Sequence, residues 1–208
     1  MLHTHSAYRP AAWLGCVLAV LLLAACGGRG ETVVYAVDSG ATILAFGDSL
    51  TDGVGAPEAA SYPRQLAALT GWDVVEAGVP GETTSGGRER LATVLEATEP
   101  DVVLLALGGN DMLRKQSTQR MRDNLAAMLS EIQAAGAQPI MLAIPEPTLF
   151  GLDDHPAYAA LAKQRDVPLI AGVFSEVLEQ SRLRADRIHP NAEGYRIVAE
   201  RVARALGY

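Results

Sequence analysis

The chain is poor in cysteine, aromatic rings and positive charge, and each shortage removes a class of explanation. Its only cysteines are Cys16 and Cys26, too few for a disulfide scaffold, so stability must come from a hydrophobic core. Aromatics make up 5% of the 208 residues while hydrophobic residues reach 49%, a balance that suits one globular domain. The formal net charge is -7 and the basic residues form no cluster, which argues against a surface that tracks nucleic-acid phosphates. Histidine is scarce too: His3, His5, His155 and His189 are the full set, and none of the later two sits in a paired metal-binding motif, so no metal or other cofactor is expected. There is no internal repeat and no low-complexity tract.

The amino terminus reads as a targeting segment. Arg9 precedes an apolar run from Ala11 to Ala25 that is short for a bilayer span and closes in small residues. Its end, Leu23-Ala24-Ala25-Cys26-Gly27, resembles the bacterial lipoprotein box, which implies a signal peptide over 1–25 and Cys26 as a lipidated first residue. Cys16 would leave with the signal, so no disulfide could form within the mature chain. Gly27, where an aspartate would retain a lipoprotein at the inner membrane, points by the same resemblance to the outer membrane of a two-membrane cell. Residues 26–40 show no strong helical pattern and read as a flexible tether, with an r.m.s. reach of roughly 20 Å. Such a reach would let the domain work near lipid, favouring lysophospholipids or other amphiphilic esters.

From residue 41 to 208 short apolar runs alternate with amphipathic stretches, the pattern of a parallel sheet covered by helices on both faces. Strands are predicted at Thr42–Phe46, Asp73–Ala77, Val102–Leu107, Gln138–Ile144 and Val167–Ile170. Helices are predicted at Ser61–Leu69, Thr84–Ala97, Thr118–Ala135, Ala157–Gln164 and Ala192–Leu206. Within the third helix Met121, Leu125, Met128, Leu129 and Ile132 recur at helical spacing and mark a core face.

The reactive residue types gather where strands stop. The first strand runs into Gly47-Asp48-Ser49-Leu50, which leaves a hydroxyl nucleophile at a carboxyl end, where ligands of open α/β sheets bind. The second ends in a turn containing Gly78, whose bare backbone lets an N–H approach a ligand closely. The third ends in Gly108-Gly109-Asn110-Asp111, with the Asn110 amide as a side-chain donor and Asp111 expected to be structural, holding the turn. A serine nucleophile needs an oriented base. In Asp186-Arg187-Ile188-His189-Pro190 the Asp186 carboxylate can reach the Nδ1 proton of His189, freeing Nε2 for Ser49, in the chain order Ser, Asp, His. A second His-Pro pair, in Asp153-Asp154-His155-Pro156, suits a helix cap better than a base.

Together these four blocks resemble the SGNH (GDSL) hydrolase family, most closely its bacterial thioesterase, lysophospholipase and arylesterase group, over about residues 42 to 206. The resemblance implies a flavodoxin-like three-layer α/β/α fold with a five-stranded parallel sheet in the order 2-1-3-4-5. It further implies Ser49 as nucleophile, His189 as base, Asp186 as the orienting acid, and an oxyanion hole from the N–H groups of Ser49 and Gly78 with the Asn110 side chain. The substrate would be a small-molecule or lipid carboxylic ester or thioester. Glu146 to Tyr158 is shorter than in that group, and this region helps wall the acyl pocket. An α/β-hydrolase elbow would need a second glycine where this chain has Thr51. From another class of function, a lipid-anchored binding module using the same crevice without turnover would also fit the strand-end pattern.

Overall fold

The apolar run Thr42–Gly47 forms the first strand, β1, with Ile43, Leu44, Ala45 and Phe46 all fully buried. Burial of consecutive residues means that both faces of the strand are covered, the signature of a parallel sheet between helix layers. The computed structural model describes residues 33–38 and 40–208, with Met1; the expected signal segment, Cys26 and most of the tether lie outside the described residues. After β1 come α1 (Ser49–Asp52), α2 (Tyr62–Thr70), β2 (Asp73–Gly78), α3 (Thr84–Thr98), β3 (Val102–Ala106), α4 (Gly109–Leu113) and α5 (Thr118–Ala134). They are followed by β4 (Gln138–Leu142), β5 (Pro145–Thr148), β6 (Gly151–Asp154), α6 (Ala157–Arg165), β7 (Leu169–Ile170), α7 (Ser175–Leu178) and α8 (Ala192–Ala205).

The main sheet has five parallel strands in the order β2-β1-β3-β4-β7. Counted among these five alone, that is the order 2-1-3-4-5. Helices α2 and α8 pack together, as do α3 with α5 and α5 with α6, giving three layers, α/β/α. The expected stripe on α5 is buried from Met121 to Ile132, each large side chain contributing about 1.5–3 kcal/mol by leaving water. Because the chain leaves β1 first for β2 and later for β3 on its other side, the strand order reverses at β1, where an open α/β sheet forms its ligand crevice.

Three local features depart from the sequence reading. β7 is only Leu169–Ile170 because Val167 N–H closes α6 on the Ala162 carbonyl and Pro168 offers only a carbonyl, taken by Met141 N–H at 2.9 Å. Between β4 and α6 stands an antiparallel hairpin, β5–β6, whose tip exposes Leu149 and Phe150 almost fully. The segment expected to be free to Gly40 is docked over residues 34–37: Val34 N–H and Tyr35 N–H bond the Ala205 carbonyl at 2.8 and 3.3 Å, and Val37 N–H bonds that of Leu206 at 3.1 Å. Tyr35 there lines a cavity of about 540 Å³ with Ala41, Asp101 and Gln138, at the amino ends of the strands, the pole opposite Ser49.

Candidate active site

Ser49 begins α1 directly after β1, and the preceding Asp48 caps that helix, its Oδ1 accepting the Leu50 N–H at 3.0 Å. As a first-turn residue Ser49 has a backbone N–H without a partner inside the helix. Tyr195 on α8 braces the turn by donating its hydroxyl to the Val54 carbonyl at 2.8 Å and, more weakly, to that of Ser49 at 3.4 Å. The Ser49 hydroxyl lies 3.0 Å from His189 Nε2.

His189 arrives on the loop before α8. Ala185 N–H bonds the His189 carbonyl at 2.9 Å and closes this loop, while Asn191 caps α8 by accepting the Gly194 N–H at 3.0 Å. Asp186 Oδ1 accepts the N–H groups of Ile188 and His189, each at 2.8 Å, and Oδ2 faces His189 Nδ1 at 2.8 Å. Burial works against the Asp186 charge, but the hydrogen bonds from the His189 ring and these two amides outweigh it and hold its carboxyl below the usual range. The loop can lie so close because Gly55 has a left-handed φ of 98° and a Cβ there would come within 2.6 Å of the Pro190 carbonyl.

Gly78 ends β2, the edge strand, opposite Gly47. Val79 N–H bonds the Gly47 carbonyl at 3.0 Å, so the alternation of the ladder turns the Gly78 N–H away from β1. A Cβ on Gly78 would run into the Asp52 backbone, which keeps α1 seated on the end of β2. Asn110 lies in α4 with both amide protons engaged, one by Asp48 Oδ2 at 3.1 Å and one by the Glu82 carbonyl at 3.0 Å. The sequence anticipated an open donor here and gave no acceptor for it.

The structure therefore brings Ser49, His189 and Asp186 into one hydrogen-bonded chain and sets Gly78 and Asn110 at the ends of the two strands flanking β1. It also shows polar groups that sequence reasoning left without roles. Asp48 is 2% exposed, and burial above all, reinforced by Glu82 and only partly offset by Leu50 N–H, Asn110 and His189, pushes its carboxyl up to about 6. Glu82 takes Arg90 through both carboxylate oxygens, and Arg90 continues to the Gly47 and Ala77 carbonyls at 3.2 and 2.9 Å with its guanidinium 3.9 Å from the Phe46 ring centroid. This fork ties the ends of β1 and β2 together. Asp111 is buried and reaches back to α3, accepting the Thr84 N–H at 2.8 Å and its hydroxyl at 2.7 Å. Its structural part is thus played on a helix start 27 residues earlier as well as on its own turn. Aspartate and glutamate in glycine-rich turns look like ordinary turn residues, and only burial separates them.

His155 is elsewhere. Its Nδ1 accepts the Ala157 N–H at 3.1 Å at the start of α6, and its ring meets Tyr158 edge to face. With Met112, Lys115, Met121 and Glu146 it lines a pocket of about 320 Å³ beside α4.

Residues 45–197 match the GDSL-like lipase/acylhydrolase family. The chain is 34% identical over 174 residues to the thioesterase 1/protease 1/lysophospholipase L1 of Escherichia coli K12, covering 79% of this chain and 83% of that protein. It is equally 34% identical to an arylesterase of Vibrio mimicus, covering 79% and 87% of the two chains. Among solved structures, the esterase EstA of a Pseudoalteromonas species superposes with a TM-score of 0.69 at 26% identity, over 77% of this chain and 93% of EstA. With a family match that spans most of the domain, and relatives of this identity over more than four fifths of their length, the chain belongs to the GDSL-like lipase/acylhydrolase family and is a hydrolase of the SGNH fold.

Proposed function

We propose that the protein is a serine esterase that cleaves carboxylic esters through a covalent acyl-enzyme. The observation that carries this reading is the chain of two hydrogen bonds, Ser49 Oγ to His189 Nε2 at 3.0 Å and His189 Nδ1 to Asp186 Oδ2 at 2.8 Å. In the first half-reaction Ser49 Oγ attacks the carbonyl carbon while its proton passes to Nε2. Asp186 holds the ring so that Nε2 faces the serine and stabilises the imidazolium that forms. Negative charge on the carbonyl oxygen is met by the Ser49 N–H and by the Asn110 amide; the Gly78 N–H, expected to join them, is turned away from β1 and is not among the donors. As the carbon–oxygen bond breaks, Nε2 returns the proton to the leaving alcohol. Water then attacks the acyl-serine, giving its proton to Nε2, and the carboxylic acid departs as Ser49 regains its hydrogen.

The names of these relatives, thioesterase, lysophospholipase and arylesterase, support aryl esters, lysophospholipids and thioesters as the substrate range, to which the proposal adds short-to-medium acyl esters. The same reading carries Cys26 as a lipidated first residue after a signal over 1–25, anchoring an exported domain. Labelling with a fluorophosphonate tests the core of the proposal. Wild type should react and Ser49→Ala should not; a wild-type protein that fails to label would instead be a binding module. EstA, whose structure is described as inhibited by monoethylphosphonate, supports the choice of probe.

A further inference from the structure

Asn110 has two amide protons and, in the resting site, two acceptors. The acceptors differ in kind. One is the Asp48 carboxylate, buried at the cap of α1 and held there by the Leu50 N–H; the other is the neutral carbonyl of Glu82 in the turn before α3. Charged acceptors bind N–H roughly twice as strongly as neutral ones, so a developing oxyanion competes readily with the Glu82 carbonyl and poorly with Asp48. We propose that Asp48 is a positioning residue: its Oδ2 fixes one Nδ2 proton of Asn110, so that the plane of the amide is set and the second proton is the one surrendered by Glu82 to the substrate oxygen. This rests on the esterase reading above, with Asn110 as an oxyanion donor.

The groups around Asp48 make the device sensitive to protonation. His189 approaches from the loop before α8 and favours its charge, and Glu82 approaches from the β2–α3 turn and opposes it. The buried hydroxyls of Tyr62, Tyr158 and Tyr195 feel the same charge from α2, α6 and α8. With burial, these leave the carboxyl at about 6, so acidification by one or two pH units below neutrality turns the strong acceptor of Asn110 into a weak one. Two groups must then be unprotonated for full activity, His189 as base and Asp48 as the anchor of the amide.

The test is a double-mutant cycle with Asp48→Asn, which keeps the shape of the side chain and removes its charge. Alone it should lower kcat by about tenfold, the size expected for weakening one oxyanion donor without deleting it, with KM changed less than twofold. In an Asn110→Ala background the same substitution should change kcat by less than twofold, because its route to the chemistry is gone. The acid limb of log kcat against pH should steepen past a slope of one over about a pH unit around 6 in wild type and stay at one in Asp48→Asn. An equal loss in both backgrounds, or an unchanged acid limb, overturns the proposal. If Asp48→Asn does not fold, the side-chain amide resonance of Asn110 in Ser49→Ala decides: it should titrate with a midpoint near the value of Asp48, and a resonance that stays fixed between pH 5 and 7 overturns the coupling. Failure of the esterase reading itself would appear separately, as a wild-type protein that no fluorophosphonate labels.

Discussion

Both oxygens of Asp186 serve His189: Oδ1 accepts its backbone N–H at 2.8 Å and Oδ2 faces its Nδ1 at 2.8 Å. One carboxylate thus sets the loop and the ring together, although its side chain is 53% exposed. A ring oriented from its Nδ1 side presents Nε2 to Ser49 in one tautomer. Orientation by a half-exposed carboxylate suffices here because the loop that carries it is closed by its own backbone bonds.

Ser49→Ala and His189→Ala should therefore each lower kcat by about 10⁶, and the double mutant should be little worse, since members of such a unit do not act additively. Asp186→Asn should cost less, about 10⁴, as the ring keeps its place but loses its preferred tautomer. His155→Ala should leave the chemical step intact because that ring caps α6. Steady-state kinetics on a p-nitrophenyl ester reads all five; near-normal rates for Ser49→Ala, or a His155→Ala loss matching that of His189→Ala, would reverse the assignment.

Asn110→Ala should lower kcat by roughly 10² to 10³ and change KM much less, because the amide meets charge that exists only as the tetrahedral species forms. The same ester series provides the measurement. An effect confined to KM would make Asn110 a contact for bound substrate.

The sequence exposed the strand ends and hid what joins them. Ser49 and Asn110 were legible because a nucleophile and an amide are each unusual at the end of an apolar run, and His189 because Asp186 precedes it by three residues in the loop before the last helix. Gly78 was legible as bare backbone, but the ladder that turns its N–H away from β1 was not. Asp48, Glu82 and Arg90 were not, since turn preference accounts for them fully until burial is known. Helices α1 and α4 are too short to show a period. The β5–β6 hairpin escaped because Pro145 and Pro147 break the strand pattern and Leu149-Phe150 occupy a tip where polar turn residues are the usual signal. Residues 34–37 looked like tether for a similar reason: Val34, Tyr35 and Val37 are apolar, but they add to the core as isolated contacts along α8 with no period of their own.

Asp111→Ala should act on stability. Its carboxylate accepts two bonds from Thr84, whose hydroxyl oxygen in turn accepts from Asn124 Nδ2 at 3.2 Å, so truncation strands buried donors at the start of α3 and should cost about 2–3 kcal/mol. Urea unfolding measures this, and kcat should fall far less than in Asn110→Ala. A variant of wild-type stability with abolished turnover would move Asp111 into the chemistry.

Asp48 gives stability an unusual pH dependence. Its carboxyl is raised on folding from 3.8 to about 6, so the folded state holds the proton more tightly, and the contribution is fully present below 3.8 and lost as pH rises through about 6. The loss amounts to about 3 kcal/mol. Asp48→Asn has no such proton to lose, so wild type should fall relative to it between pH 4 and pH 7. Paired thermal melts across that range test this; a constant or rising difference would mean that Asp48 is ionised throughout.

The last prediction joins location to substrate. If Cys26 is lipidated, the domain hangs from Val33, and the chain between those residues spans at most about 25 Å when fully extended. Residues 34–37 are fastened to the end of α8 at the amino pole of the sheet, while Ser49 opens at the carboxyl pole of a domain that is about 40 Å across for its length. If that link and the docking of residues 34–37 both hold, the crevice should stay away from the leaflet that carries the anchor, which would remove the reason a long tether gave for favouring lysophospholipids of that membrane. Such an anchor would still fix the place, because several acyl chains at roughly 0.8 kcal/mol per buried methylene hold stably where one would be marginal. Wild type should sediment with membranes and resist salt extraction, and Cys26→Ser should carry no lipid. In vesicles bearing the lipidated protein, a soluble p-nitrophenyl ester should be cleaved at the rate of the detached domain, whereas lysophospholipid embedded in the same vesicle should be cleaved slowly. A flexible insert of about 30 residues before Val33, with an r.m.s. reach of roughly 30 Å, should then raise hydrolysis of the embedded lipid and leave the soluble ester unaffected. Rapid hydrolysis of embedded lipid without the insert would show that the crevice meets its own membrane and that the docked segment releases, and an unlabelled, soluble wild-type protein would end the lipoprotein reading altogether.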